Sequence, residues 1–285
     1  GKARRIDDAI DRYVSFCKTT VDSSFNLNSL KIVLDCAHGA TYQVAPKVFS
    51  ELGAKVVVIN NKPDGLNINQ NAGSVHPELL QKSVLSNNAD LGIAFDGDGD
   101  RVIMTDSNGN LIDGDQLLFL IVQNYHNKNK LKGGVVGTLM TNLAFEEGCK
   151  KFEIPFLRSN VGDRYVSELL YEKNWMLGGE NSGHILITNK HSTGDGIISA
   201  LQVLNSILEA KQSIEEALKS IPMYPQILIN LPLTKKVDLT SSVMEQAIND
   251  AKLIMENKGR ILIRESGTQP LIRVMTEGPD KEKAI

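Results

Sequence analysis

Five residues near the middle of the chain, DGDGD at 96–100, constrain the fold more than any other stretch. They follow an apolar run at 91–95 that has the length and composition of a buried strand. Three like charges this close repel one another, and the intervening glycines let the backbone curl so that the carboxylates converge. Ligands of open α/β sheets collect at the carboxyl ends of strands, and carboxylate oxygens suit Mg²⁺ better than Zn²⁺. We therefore predict that Asp96, Asp98 and Asp100 bind Mg²⁺.

Other interpretations of the acidic loop can be tested on the sequence. An EF-hand that begins at Asp96 needs glycine at its sixth position and glutamate at its twelfth, and those positions hold Arg101 and Ser107. The DxDx(T/V) pattern of haloacid-dehalogenase-like phosphatases does fit, with Asp98 as nucleophile and Asp100 as acid/base. The EF-hand is therefore excluded, whereas a phosphatase and a solvated acidic turn stay open as alternatives to a metal site.

The length and composition are those of a globular protein with more than one domain. The 285 residues exceed one ordinary core, and 41% hydrophobic with 23% charged residues is typical of soluble proteins. The net charge of −3 gives no reason to expect nucleic acid or an anionic membrane as partner, and no apolar run has the length of a membrane-spanning helix. The cysteines at 17, 36 and 149 form no metal-binding pair. We expect reduced thiols and a cytoplasmic location.

Strand and helix patterns alternate along most of the chain, which predicts mainly parallel sheets. A second group of such elements opens with an apolar helical pattern at 115–127, and the prolines within 221–225 mark a linker. We therefore predict an α/β fold. Two consecutive α/β domains, at 1–112 and 113–222, are followed by a small α+β domain at 223–285.

Glycines also flank a loop that carries three functional side chains, GGENSGH at 178–184. Glu180, Ser182 and His184 offer an acceptor, a hydroxyl and a titratable ring, which suits a ligand rich in hydroxyl groups such as a sugar. Loops hold binding residues disproportionately, but most loops are only connections. A sugar-binding loop and a tight turn with a surface histidine therefore both stay open.

Near the end of the chain, Arg264 and Arg273 enclose a Ser-Gly-Thr turn in the stretch RESGTQPLIR. Backbone N–H groups of such a turn can form an anion-binding concavity, and guanidinium forks match phosphate oxygens. The alternative is a hairpin turn with two surface arginines. We predict phosphate binding, because the donor types match phosphate.

Five motifs in order along the chain carry a resemblance to a known family: DGDGDR, VGDRYV, GGENSGH, TGDGIISALQVL and RESGTQPLIRVMTEG. Over nearly its whole length the chain resembles the bacterial phosphoglucosamine mutases of the α-D-phosphohexomutase superfamily. The resemblance implies a four-domain enzyme that interconverts glucosamine 6-phosphate and glucosamine 1-phosphate through a bisphosphate, which feeds UDP-N-acetylglucosamine and cell-wall synthesis. It also implies Mg²⁺, a phosphoserine, and glucosamine 1,6-bisphosphate or glucose 1,6-bisphosphate as activator.

The resemblance assigns a role to each matching residue. Asp96, Asp98 and Asp100 would hold the metal. Arg101, beside the phosphoserine, and His184, near the reacting end, would be catalytic. The remaining residues would contact the sugar or grip the phosphate that is not transferred: Glu180, Ser182, Asp163, Arg164, Arg264, Ser266, Gly267, Thr268 and Arg273.

The chain departs from the family in two places. Gln269 stands where the family usually has glutamate, a change that should leave the loop intact. No Ser-His-Asn-type loop that could supply the phosphoserine occurs in the sequence, and in the family that loop lies in the first domain. We therefore expect domains two to four without the first, a homodimer in the full-length form, and no turnover by this chain alone. A non-catalytic phosphosugar-binding module also stays open.

Overall fold

The structure is a computed structural model that describes residues 6–233, 238–239, 241–256, 258–265 and 270–284. The chain divides into two compact units. The first unit comprises Gly1–Met140 with Ile154–Ser220, and the second comprises Thr141–Glu153 with Ile221–Ile285. Within the described ranges, every helix is too short or too polar to cross a bilayer.

The described residues form helices and strands that alternate through most of the chain. The helices are α1 (Ala9–Thr19), α2 (Val44–Glu51), α3 (Glu78–Asn87), α4 (Gly114–Asn127), α5 (Leu143–Lys151), α6 (Asp163–Lys173), α7 (Gly196–Ala210), α8 (Ile214–Leu218), α9 (Ser242–Ile254) and α10 (Lys281–Ala284). The strands are β1 (Lys31–Asp35), β2 (Lys55–Ile59), β3 (Leu91–Phe95), β4 (Val102–Thr105), β5 (Leu111–Ile112), β6 (Val135–Thr138), β7 (Phe156–Ser159), β8 (Leu177–Gly179), β9 (Ile185–Ile187), β10 (Gln226–Pro232), β11 (Arg260–Glu265) and β12 (Leu271–Glu277).

The first unit contains a five-stranded sheet in the order β2-β1-β3-β4-β5. Strand β1 pairs in parallel with β2 and β3, while β4 and β5 continue the sheet in antiparallel fashion. Every residue of β3 is buried, as expected of a central strand covered on both faces. One core cluster joins the sheet to α3 and consists of Val33, Leu80, Val84, Ala89, Ala94 and Ile103.

A four-stranded sheet in the order β7-β6-β8-β9 forms the rest of the first unit. Strand β6 pairs in parallel with β7 and β8, and β9 is antiparallel to β8. Side chains of α6 pack on this sheet in a cluster of Val136, Val166, Leu170 and Leu186. Helix α7 is buried along most of its length, because its apolar residues occur on nearly every face rather than in one stripe.

The second unit is built on a three-stranded antiparallel sheet in the order β10-β12-β11. The carboxylate of Glu277, which is fully buried, accepts hydrogen bonds from Arg260 Nε over 2.6 Å and from Gln226 Nε2 over 2.7 Å. It also accepts from the backbone N–H of Leu143 over 3.2 Å. Helix α5 lies between β6 and β7 in sequence but belongs to this unit, and the Leu143 hydrogen bond shows one contact that holds it there.

The predicted fold class is confirmed: two α/β domains of the phosphohexomutase type precede a small α+β domain. Apolar residues at helical spacing within 3–18 predict a helix, and the structure has α1 at Ala9–Thr19. The segment 154–157 has the pattern of a strand, and the structure has β7 at Phe156–Ser159. Gly178 and Gly179, predicted in a loop, lie in β8, where their lack of side chains lets neighbouring backbone approach closely. The three domain ranges, with boundaries at 112/113 and 222/223 over the whole of 1–285, stay a prediction.

Candidate active site

The acidic loop begins directly after β3 and lies against the turn that follows β1. The backbone N–H of Ala40 donates to the carbonyl oxygen of Gly97 over 2.8 Å. The two segments approach so closely that a Cβ on Gly39 would lie 2.1 Å from that oxygen. A side chain at position 39 would therefore push the acidic loop away from the turn.

Asp96 holds the acidic loop in its curled form from inside. Its side chain is buried, and Oδ1 accepts hydrogen bonds from the backbone N–H groups of Gly99 and Arg101 over 3.1 Å each. Gly99 has a φ of +81°, a left-handed conformation that glycine adopts at little cost. The glycine and the two hydrogen bonds together close the loop around the Asp96 carboxylate.

This closure gathers the three predicted metal ligands. One oxygen each from Asp96, Asp98 and Asp100 lies within 4.8 Å of the other two. Burial, and then the charges of Asp100 and Asp98, raise the pKa of Asp96 to about 6, although the hydrogen bond from the Arg101 backbone opposes this. Three hard oxygen donors that share one space fit Mg²⁺, which neutralises their repulsion. Across the described part of the chain, no second group of three or more potential metal ligands comes together in this way.

The GGENSGH loop meets the acidic loop through the backbone. Arg101 and His184 form a single antiparallel bridge, and the N–H of Val102 donates to the carbonyl oxygen of Gly183 over 3.1 Å. His184 is 3% exposed, and its Nδ1 lies 3.1 Å from Oδ2 of Asp100. Two motifs that the sequence places in different domains therefore contribute to one site.

Arg101 brings a guanidinium to the edge of the carboxylate cluster. Its Nε lies 3.9 Å from Oδ2 of Asp96 and 3.9 Å from Oδ1 of Asp100, too far for a hydrogen bond. That Nε is buried and has no hydrogen-bond partner among the described residues, although the side chain as a whole is 43% exposed. An unused guanidinium donor beside three carboxylates that could hold a cation is suited to the oxygens of a phosphoryl group.

Glu180 is more enclosed than a residue in an open binding loop would be. It is 8% exposed, and its Oε1 accepts the backbone N–H of Gly162 over 2.9 Å. Its backbone N–H donates to the carbonyl oxygen of His184 over 3.0 Å, which fixes the turn. Ser182, by contrast, is exposed. The loop therefore offers the Ser182 hydroxyl and the second carboxylate oxygen of Glu180 to a ligand.

The two residues of the VGDRYV motif predicted to face the sugar lie at the start of α6. Asp163 is the first residue of the helix and is exposed, while Gly162 occupies the capping position without a side-chain hydrogen bond. The side chain of Arg164 is 80% exposed, and its Nε donates to Glu168 over 2.7 Å. The VGDRYV motif contacts the GGENSGH loop through the hydrogen bond from Gly162 to Glu180. Arg164 instead forms an ion pair with Glu168 on the surface of α6.

A support for the acidic loop that the sequence analysis missed comes from α1 and α7. Asp195 caps α7 by accepting the N–H of Ile198 over 3.0 Å, and the hydroxyl of Tyr13 donates to its other oxygen over 2.7 Å. The next residue, Gly196, donates its N–H to the carbonyl oxygen of Gly99 over 2.8 Å. Burial, and then the charge of Asp195, raise the pKa of Tyr13, which therefore stays a hydrogen-bond donor. The Thr-Gly-Asp-Gly pattern predicts the helix start, but no local signal joins it to Tyr13.

A cleft of about 400 Å³ opens beside the acidic loop in the first unit. Its polar wall includes Asp98, Asp100 and Asp195, and its apolar wall includes Ile10 and Val44. The cleft gives a ligand access to two of the three clustered carboxylates, those of Asp98 and Asp100. It is large enough for a monosaccharide phosphate or a protein loop.

In the second unit the two predicted phosphate-binding arginines lie side by side. Arg264 and Arg273 face one another as paired residues of β11 and β12. Burial, and then the charge of Arg273, lower the pKa of Arg264. Each Nε is buried without a hydrogen-bond partner in the part of the chain that the structure describes. Ser266, Gly267 and Thr268, predicted to complete this grip, lie outside the described residues, as does Gln269.

Models of three consecutive domains of one family match the chain. Residues 11–109 match the phosphoglucomutase/phosphomannomutase alpha/beta/alpha domain II, residues 113–224 match domain III, and residues 228–284 match the C-terminal domain. The domain II match contains the DGDGD loop. It gives no support to the haloacid-dehalogenase alternative, in which that loop would follow the first strand of a different fold.

Curated relatives with the name phosphoglucosamine mutase are similar to the chain throughout. It is 56% identical to the protein of Methylobacillus flagellatus over 282 residues and 53% identical to that of Pseudomonas entomophila over 285 residues. Each alignment covers 99% of this chain but only 62% and 64%, respectively, of the relative. The chain therefore spans less than two thirds of the length of these relatives.

Solved structures share the fold at much lower identity. The N-acetylphosphoglucosamine mutase of Aspergillus fumigatus, in complex with GlcNAc-6P and magnesium, has a TM-score of 0.77 at 18% identity and matches 96% of this chain and 67% of its own. A phosphoglucomutase/phosphomannomutase family protein of Burkholderia thailandensis has a TM-score of 0.77 at 21% identity and matches 96% of this chain and 61% of its own. The likeness to these structures concerns the fold, while the domain matches and the closer relatives extend to the sequence. The chain belongs to the phosphoglucomutase/phosphomannomutase family.

Proposed function

We propose that this chain supplies the metal-binding, sugar-binding and phosphate-binding parts of a phosphoglucosamine mutase. The reaction would interconvert glucosamine 6-phosphate and glucosamine 1-phosphate through a bisphosphate, and so provide a precursor of UDP-N-acetylglucosamine and the cell wall. One observation carries the proposal: three carboxylates of a single loop lie within 4.8 Å of one another beside Arg101 and His184. The relatives at 52% to 56% identity that bear this enzyme name support it.

Asp96, Asp98 and Asp100 would hold Mg²⁺ in this function. When bound, the cation neutralises negative charge on the phosphoryl group that is transferred. The support for this assignment is the donor set itself, since three carboxylate oxygens converge, and burial and then the charges of Asp100 and Asp98 raise the pKa of Asp96. The magnesium in the A. fumigatus mutase structure is consistent with the same choice of metal.

Arg101 and His184, which form a backbone bridge with one another, would act beside that cluster. The unused donors of Arg101 would bind oxygens of the transferred group and stabilise its charge. Because His184 is 3% exposed and its Nδ1 faces Asp100, its contribution at the reacting end would pass through the orientation of that carboxylate. The ring would therefore be a positioning group.

The substrate would be held at both ends. Ser182 and Glu180 would contact sugar hydroxyls, with Asp163 and Arg164 in the neighbouring loop. Arg264 and Arg273, with Ser266, Gly267 and Thr268, would bind the phosphate that is not transferred. A fixed distant phosphate converts the transfer into an oriented step and lets the sugar turn over between half-reactions, because either phosphate fits the same grip.

The phosphoserine would come from outside the 285 residues, because the sequence contains no Ser-His-Asn-type loop. The relatives contain further residues, since the chain spans 62% to 64% of the length of the first two. Glucosamine 1,6-bisphosphate or glucose 1,6-bisphosphate would serve as activator, and a structure of the A. fumigatus enzyme contains glucose 1,6-bisphosphate. The full-length protein would be a homodimer in the cytoplasm.

Phosphorus NMR of the chain with glucosamine 6-phosphate and Mg²⁺, followed over hours, tests the proposal. We expect the substrate resonance to broaden or shift without any new phosphorus species, because the binding residues are present and the phosphoserine is not. Accumulation of glucosamine 1-phosphate or inorganic phosphate would contradict this account, and Asp98 would then be the first nucleophile to test by substitution with asparagine. An unperturbed resonance at millimolar chain would contradict the assignment of the binding residues.

A further inference from the structure

A second concave site lies in the first unit and shares no lining residue with the cleft beside the acidic loop. It has a volume of about 370 Å³. Four of its described lining residues are lysines, Lys128, Lys130, Lys132 and Lys190, against the single carboxylate of Asp22. We call it the lysine pocket. The pocket is therefore locally cationic in a chain whose net charge is −3.

The most enclosed of these side chains is fixed in place. The Nζ of Lys190 donates to the carbonyl oxygen of Thr20 over 2.7 Å, and Nε2 of Gln202 donates to the same oxygen over 3.0 Å. An ammonium group has three donors, and the bond to Thr20 uses one of them. Lys190 therefore presents further donors from a held position, without the full loss of side-chain entropy that a free lysine incurs on binding.

The charges around Lys190 are not balanced. Burial lowers the pKa of Lys190, and the charges of Lys130 and Lys128 lower it further, while Asp22 opposes them. Glu209 pairs with Lys128 at the edge of this group. The negative C-terminal end of the α4 dipole stabilises a cation at Lys128. It does not account for Lys130, which lies beyond the last turn of the helix, or for Lys190, which lies on a distant segment.

We propose that the lysine pocket binds a small phosphorylated molecule through its phosphate group. A phosphate monoester carries nearly two negative charges and three strong acceptor oxygens in one compact group, which suits several ammonium groups around one cavity. Lysine binds phosphate as a point charge and needs no fixed bidentate geometry. Amide side chains of Asn129, Asn189 and Asn205 also line the pocket and can bind hydroxyl groups on the rest of the molecule.

Calorimetric titration with pyrophosphate, without divalent cations, tests this site. The chain should carry Arg264→Gln and Arg273→Gln in every sample, so that the arginine pair contributes nothing. We expect this background protein to bind pyrophosphate, and we expect Lys130→Gln with Lys190→Gln to weaken binding at least about tenfold. The matched control, Lys173→Gln with Lys219→Gln, removes the same charge from exposed positions outside the pocket and should change the affinity by less than about twofold.

Lys190 also holds the Thr20 carbonyl, so the pair Lys130→Gln with Lys132→Gln provides a variant at exposed positions that leaves this contact intact. It should retain the melting temperature of the background protein and still lose affinity. The proposal is overturned if the background protein does not bind pyrophosphate, or if the pocket variants and the control weaken binding equally. The substrate assay of the proposed mutase does not enter this test, so its failure is separate from a failure of that function.

Discussion

The acidic loop and the arginine pair are two clusters of like charge, one in each compact unit, and their electrostatics mirror one another. Burial and neighbouring carboxylates raise the pKa of Asp96 to about 6, while burial and Arg273 lower the pKa of Arg264. Burial, and then the repulsion between like charges, favours the neutral form of Asp96 and of Arg264. Such repulsion is common at functional sites, and the ligands we propose are a cation at the acidic loop and an anion at the arginine pair.

The clusters differ in how the backbone holds them. The acidic loop is fixed by two hydrogen bonds to Asp96 and by contact with Gly39, so that its carboxylates converge in one turn. The arginines instead face one another across two antiparallel strands, at Arg264 and Arg273. A metal site needs closely set oxygens, whereas a phosphate needs two forks with space between them. The same unit that holds the arginine pair also contains a satisfied buried charge at Glu277.

The largest effect is expected where a buried charge is already paired. Glu277→Gln removes the buried charge that pairs with Arg260 in the second unit, and it should lower the free energy of unfolding by about 3–5 kcal/mol. Urea denaturation monitored by a probe in the second unit measures it. Glu282→Gln, an exposed carboxylate on α10, is the control and should stay within about 0.5 kcal/mol. A small effect of Glu277→Gln on the free energy of unfolding would contradict the contrast between a paired buried charge at Glu277 and the repelling charges of Arg264 and Arg273.

Substitution in the acidic loop should weaken Mg²⁺ binding but stabilise the metal-free protein. Asp98→Asn removes one ligand charge, so the Mg²⁺ dissociation constant should rise roughly 100-fold. In metal-free protein the same change relieves repulsion and should raise the melting temperature. Calorimetry with Mg²⁺ and thermal melts in chelator measure the two effects. The control Asp11→Asn, at an exposed position, should change neither the Mg²⁺ affinity nor the melting temperature in chelator. A lower melting temperature of metal-free Asp98→Asn would contradict the repulsion assigned to the three carboxylates.

Substitution in the arginine pair should likewise weaken ligand binding without destabilising the ligand-free protein. Arg273→Gln removes one guanidinium, so the dissociation constant for glucosamine 6-phosphate should rise about tenfold while ligand-free stability stays equal or increases. Fluorescence or NMR titration of the chain checks the affinity. Arg12→Gln, an exposed arginine on α1, should leave it unchanged. Equal losses in both variants would show that net charge, and not this pair, determines phosphosugar binding.

The smallest effect should come from the support behind the acidic loop. Tyr13→Phe removes the hydrogen bond to Asp195 and leaves that carboxylate partly unsatisfied, which should cost about 1–2 kcal/mol of stability. Because Gly196 next to it bonds Gly99, we also expect a two- to fivefold weaker Mg²⁺ affinity. Tyr165→Phe, at a half-exposed position on α6, controls for loss of a hydroxyl. A loss of stability without any change in metal affinity would limit Tyr13 to a structural role.

Local patterns in the sequence predict the acidic loop and its strand well, because five apolar residues and an alternating DGDGD run leave few other structures. The same holds for the start of α7, where Asp195 is a regular helix cap. Strand β8 is different: Leu177 and two glycines have weak strand propensity, and the strand forms because it pairs with β6 and β9.

The site as a whole depends on contacts that no local pattern encodes. The bridge between Arg101 and His184 and the bond between Tyr13 and Asp195 join residues far apart in the chain. Their partners become visible only when the two sheets of the first unit are in place. The roles of Ser266, Gly267 and Thr268 stay a prediction from the resemblance, since those residues lie outside the described part of the chain.

The central claim is that the acidic loop is a divalent cation site, and a crystal structure of the chain grown with Mn²⁺ tests it most directly. The anomalous difference map should show one strong peak about 2.1 Å from an oxygen of each of Asp96, Asp98 and Asp100. Crystals of Asp98→Asn should lose that peak while keeping the loop in place. A map with no peak at the loop, at Mn²⁺ concentrations that saturate the protein in solution, would contradict the account.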